Sequence, residues 1–89
     1  MIFHYSDGTW ATYQDPRNGH DSLGYYSCFP TSITISNGYW YYKEGGSNSP
    51  IVSVGHTHVY GSSPNAPDYF YVPPGVTRFI YYQAGMYYY

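Results

Sequence analysis

The chain has 89 residues, a formal charge of −2 and a charged fraction of 9%, while 24% of it is aromatic and 15 residues are tyrosine. Three Lys and Arg against five Asp and Glu exclude a protein whose affinity rests on neutralising phosphates, so no nucleic-acid partner is expected. No apolar run of about 20 residues is present to cross a bilayer as a helix, and no membrane partner is expected.

This length makes one small domain over residues 1–89, or a piece of a longer chain. No basic segment followed by an apolar one marks a leader after Met1, which fits a cytoplasmic product or a domain exported within a larger protein. Cys28 is the single cysteine, so no internal disulfide can staple the domain. A bound metal, self-association or a larger parent chain would supply stability that so small a core lacks. Leu23 is the single leucine beside five isoleucines and five valines, so the core must be largely aromatic. No helical stripe of Leu, Ala and Met exists.

In chain order, residues 2–5 and 9–13 are β-rich and flank Ser6-Asp7-Gly8, a hairpin signal. Residues 15–19 read as a loop, and 23–29 as a strand ending at Pro30. Residues 32–36 alternate, with Ile33 and Ile35 on one side, and Asn37-Gly38 then predicts a type I′ turn into 39–43. Residues 44–50 are a Gly/Ser loop, and 51–54 form a nearly continuous apolar strand suited to a buried central position. Residues 61–67 are a polar loop and 69–72 are extended as far as Pro73-Pro74-Gly75. Residues 76–82 and 86–89 make a last pair around Gln83-Ala84-Gly85. The predicted class is mainly β: a small, mostly antiparallel sheet or partly open barrel of five to seven short strands with little helix.

One constellation carries chemistry. His56 and His58 follow the apolar strand directly, and on extended backbone residues two apart point to the same side. Two imidazoles about 6–7 Å apart along a strand can share one metal ion. Zinc accepts imidazole and carboxylate, and a catalytic zinc keeps three protein ligands and one open position. Asp68 lies across a Gly/Pro loop that can fold back to the pair. The plainer reading is two surface or hydrogen-bonded histidines, and spacing alone favours it. Gly55, just before the pair, either permits close backbone approach or marks a bulge. His4 and His20 have no partner visible in the sequence.

Val54-Gly55-His56-Thr57-His58, followed by Ser63-Pro64 and Asp68, resembles the metal motif of JAB/JAMM metallohydrolases, an H-x-H, a loop and then Ser-x-x-Asp. The bacterial JAB-like domains at the ends of RHS-type polymorphic toxins look nearest. They carry an early segment similar to residues 2–10 and a closing strand pair similar to residues 76–82 and 86–89. The resemblance spans most of the chain, and its specific part is the His-Thr-His stretch. It implies a zinc-dependent hydrolase acting on a peptide or isopeptide bond of a peptide or protein substrate. His56, His58 and Asp68 would be the metal ligands. Ser63 or Asn65 would stabilise the oxyanion, and Glu44, the one glutamate, would be the general base. The departures are specific. Val59 stands where proline commonly follows the second histidine, and Asn65 occupies the serine position, with Ser63 displaced by two residues. The family's upstream glutamate has no counterpart, so metal binding could persist without hydrolysis. The family's packing helices are also absent from the reading above.

A second expectation comes from tyrosine itself. Tyrosine offers large, rigid, amphipathic contact area, and low charge beside aromatic edge strands invites pairing. A non-enzymatic tyrosine-rich binding module, or a homo-oligomer joined through tyrosine-rich strands, is therefore the alternative, with residues 86–89 as the candidate contact. The competing view is that tyrosine merely replaces leucine in a small β-core.

Overall fold

A computed structural model gives the fold, and it describes residues 1–14, 19–21, 24–26, 29–58, 64 and 71–89. The protein is mainly β. The described strands are β1 (Ile2–Tyr5), β2 (Trp10–Thr12), β3 (Gly19–Asp21), β4 (Gly24–Tyr26), β5 (Thr34–Ser36), β6 (Tyr39–Tyr41), β7 (Ile51–Thr57), β8 (Thr77–Tyr82) and β9 (Gly85–Tyr88). A single 3-10 turn, Lys43–Gly45, lies between β6 and β7. Five strands form one sheet in the order β2-β1-β7-β8-β9, and β3–β4 and β5–β6 are separate two-stranded pairs. The sheet is open, with β2 and β9 at its edges, so the barrel alternative does not hold. The sheet's five strands fall within the five to seven expected, and the described residues add the two short pairs. The punctuation at residues 15–19 concealed β3, which pairs with β4 in a register that matches Gly19 to Tyr26.

Both predicted tight turns form. Asn37 and Gly38 both have positive φ, 53° and 81°, the backbone twist that a two-residue hairpin between right-twisted strands requires. The first turn closes when Gly8 N–H donates to the Tyr5 carbonyl and Tyr5 N–H donates to the Thr9 carbonyl. The apolar run at 51–54 is the start of β7, which occupies the middle of the five-stranded sheet as expected. It continues through Gly55 and His56 to Thr57. All strand pairings but one are antiparallel; β7 and β8 are parallel. A parallel neighbour cannot be reached by a hairpin, so the connection between β7 and β8 is a crossover. Tyr71 and Val72 belong to no strand, and residues 69 and 70 of that predicted segment lie outside the described residues.

A register shift sets the two faces of the sheet. Tyr5 pairs with Ile51 while His4 pairs with Ser53, so Val52 is the extra residue of a bulge. The bulge turns Ile51 to the same side as Val54, which strict alternation would forbid. Phe3, Tyr5, Ile51, Val54 and Tyr42 then form the buried core. The Phe3 and Tyr42 rings meet at 5.1 Å, and Tyr13 meets Tyr42 edge-on at 6.1 Å. The Tyr5 hydroxyl donates to the Tyr42 carbonyl at 2.7 Å, satisfying a polar pair inside this aromatic core. Ile33, just before β5, and Trp40 of β6 pack against the core, while Ile35, the cross-strand partner of Trp40, is 67% exposed. No helix among the described residues is long and apolar enough to cross a membrane.

Candidate functional site

His56 and His58 leave the central strand on one side, as their spacing predicts. Their Nε2 atoms are 3.0 Å apart, with ring centroids at 4.8 Å. Val54 belongs to the core and His56 is two residues further along the same extended strand, so the pair extends the core face towards the end of the sheet. His56 is buried at 7% exposure, and His58 is half-buried. The backbone holds both. His56 is opposite Ile80 in the parallel register, and His58 N–H donates to the Tyr81 carbonyl at 2.9 Å. The Tyr89 ring stands edge-on to His56 at 6.4 Å and receives the Arg78 guanidinium over its face at 5.5 Å.

The 3.0 Å separation suits a direct hydrogen bond, one imidazole donating and the other accepting. It also lies close to the roughly 3.3 Å that two nitrogens keep when both bind one tetrahedral zinc at about 2.05 Å. Both rings must turn to convert one arrangement to the other, because the N–H and lone pair directed along the N···N line in a hydrogen bond must give way to two lone pairs that point at a common ion. The donor set therefore fits two of the ligands that a zinc site needs. Among the described residues no group of three His, Cys, Asp or Glu side chains gathers at one point. Asp68, Ser63 and Asn65, the remaining ligand and oxyanion candidates, lie outside the described residues. Glu44 is exposed on the 3-10 turn, a segment that contacts β2, and it does not join the histidines.

Sequence reasoning missed the partners of two residues. Gly55 is not there for the metal pair. A Cβ at this position would fall within the Phe79 ring, which lies against the bare backbone. Phe79 in turn stacks on His4 at 4.8 Å and 25°, so His4 has a partner across the sheet. The signal was available in the alternation of β1 and β8, where Ile2 and His4, and Phe79 and Tyr81, put apolar residues on the side away from the core. Comparison of the chain with protein-family models, curated proteins and solved structures returned no match. The functional reading consequently rests on the residues.

Proposed function

We propose that the chain is a metal-binding domain of JAB/JAMM-like hydrolase character, centred on His56 and His58. The observation that carries this reading is the convergence of the two Nε2 atoms to 3.0 Å at the end of the most buried strand. Two imidazoles held this closely at the end of one strand are pre-oriented for one cation. Asp68 would complete the set, as the resemblance implies. A zinc ion bound there would lower the pKa of its water towards ~7 and polarise a scissile carbonyl. His56, fixed by burial and by the strand on either side, would set the position of the site. His58, nearer the surface, would orient towards the bound ion at its Nε2. The exposed Glu44 gives no support for a general base, so the reading favours metal binding over turnover.

The test is calorimetric titration of zinc into metal-stripped protein. Stoichiometric binding that weakens at least about 100-fold in His58→Ala and in Asp68→Asn supports the reading, since loss of one of three ligands costs at least that much. Absence of binding in the parent protein would leave the histidines as a structural hydrogen bond and remove the enzyme reading.

A second reading has its own observation. β9 is an edge strand whose Met86, Tyr87 and Tyr88 are exposed. An uncharged edge of this kind can extend the sheet by pairing with β9 of another copy. Sedimentation that remains monomeric at millimolar concentration would dispose of it.

A further inference from the structure

The side of the sheet turned away from the core is not flat. Gly55 removes one side chain from its middle, and Phe79 leans into the gap against His4. What remains is an open hollow of about 390 Å³. Its floor is Ile2 and Phe79; Trp10 of edge strand β2 rises on one side, and Tyr81 with Met86 on the other. Trp10 is 64% exposed and Tyr81 52% exposed, large fractions for side chains that could have been buried in so aromatic a protein.

Two features specify the occupant. Among the described residues the hollow is lined by no Lys, Arg, Asp or Glu, so none of them selects a charged ligand. Yet its aromatic surfaces carry polar tips: the His4 imidazole, the Thr57 hydroxyl, the Tyr81 hydroxyl and the Trp10 indole N–H. Among the described residues none of these tips has a hydrogen-bond partner within the protein. Flat aromatic faces beside unpaired neutral donors and acceptors match a molecule with an apolar face and a rim of hydroxyls. We propose that this hollow binds a neutral sugar ring, stacked on Trp10 or Tyr81 and hydrogen-bonded at its edge by His4 and Thr57. Its size falls at the lower end of ligand sites, which run from about 300 to 1,000 Å³, and suits one or two sugar rings. A second copy fits less well. The exposed parts of Trp10, Tyr81 and Met86 amount to roughly 350 Å², against about 800 Å² per partner in a stable interface.

The test titrates the whole chain with cellobiose, lactose and N,N′-diacetylchitobiose by calorimetry and by amide chemical shifts. At least one should bind, shifting Thr57 and Phe79 amides. Trp10→Ala should weaken it about tenfold or more, as loss of one stacked aromatic worth about 1.4 kcal/mol requires. Thr57→Val, at an exposed position, should weaken it without changing the melting temperature, while Tyr39→Ala, on the distant β5–β6 hairpin, should leave it unchanged. Binding should also survive His58→Ala, because the histidine pair lies on the other face. No binding by any of the three below about 20 mM, an affinity too weak to be specific, would overturn the proposal. So would binding that Trp10→Ala does not affect, or an oligomer that Trp10→Ala dissociates.

Discussion

The two faces of the five-stranded sheet are built from the same residue types and do different things. On the inner face Phe3 and Tyr5 are covered by Tyr42 and by the segment leading to β7, and their exposures are 0% and 2%. On the outer face Phe79 is equally buried, and the described residues in ring or backbone contact with it include His4, Tyr88 and the bare backbone at Gly55. The rest of that face, Trp10 and Tyr81 above all, meets solvent. Aromatic content therefore does not decide which face is core. The decision is made by what the chain lays over each face, and by the Val52 bulge that adds Ile51 to the inner side.

The sharpest way to break this comparison is to truncate one aromatic on each face. Phe3→Ala should cost about 3–5 kcal/mol, since a fully buried ring leaves a cavity that neighbouring strands cannot close. That is a large part of a small domain's total of roughly 5–15 kcal/mol, and urea titration should find the midpoint sharply lowered. Trp10→Ala should change stability by no more than about 0.5 kcal/mol, the usual range for an exposed site. Equal losses at the two positions would mean that the outer face is as structural as the inner one.

Gly55→Ala tests the thin cover of the outer face. The added methyl must displace the Phe79 ring and disturb its stack on His4. The expected cost is about 1–3 kcal/mol, the range for overpacking. Combining it with Phe79→Leu should cost less than the sum of the two single changes, because the smaller side chain vacates the space. Additive losses in a double-mutant cycle would show that the ring and the glycine do not depend on each other.

This asymmetry was partly legible in the sequence. Asn37-Gly38 and Ser6-Asp7-Gly8 located their hairpins because turn chemistry is local. The apolar run at 51–54 located the central strand, although the Val52 bulge leaves one of its side chains exposed. The H-x-H spacing placed two imidazoles on one side because strand alternation is geometric. What the sequence did not disclose depends on neighbours. Gly55 could have served several purposes, and only the position of Phe79 on the adjacent strand selects one. The parallel pairing of β7 with β8 joins segments far apart in the chain and leaves no short-range mark. Ile35 alternates with polar residues as a buried residue would, yet it is exposed while its cross-strand partner Trp40 packs against the core.

Tyr5 sharpens the comparison on the inner face. Its hydroxyl donates to the Tyr42 carbonyl, and burial, first, then the neighbouring Tyr42 and Asp7, raise its pKa above the ordinary 10.0. A raised acid pKa means that the folded state holds the proton more tightly than the unfolded chain does. The stabilisation is complete below pH 10 and is lost as pH rises through the folded value. Tyr5→Phe should cost about 1–2 kcal/mol at neutral pH by leaving the Tyr42 carbonyl without its donor. The gap between parent and variant should narrow above pH 10, as followed by urea denaturation across that range. A gap that stays constant into strong alkali would show that this hydroxyl does not titrate with folding.

The smallest effect belongs to a group outside both faces. Asp7, in the first turn, accepts from the Ser47 hydroxyl at 2.6 Å and from Thr9 through both its backbone N–H, at 2.9 Å, and its hydroxyl, at 2.5 Å. With Ser6 N–H donating to the Pro50 carbonyl at 2.9 Å, these bonds fasten the β1–β2 turn to the loop that enters β7. Hydrogen bonds to its charged form, from Ser47 first and then Thr9, hold the carboxyl at about 2 instead of 3.8. For a depressed pKa the sign is opposite to that of Tyr5: the contribution is present above pH 3.8 and disappears as pH falls towards 2. Asp7 is fully exposed, so water screens the interaction and the effect on overall stability should be modest. Asp7→Asn keeps an acceptor for Thr9 and an amide that can donate to Ser47, while removing the titration. The parent should be the more stable above pH 4 and should converge with the variant as pH falls through about 2. Carbon-detected titration of the Asp7 carboxyl should place its midpoint at about 2. A midpoint near 3.8 would mean that the turn is not fastened to the Ser47 loop in solution, and that the entry to β7 is held by the sheet alone.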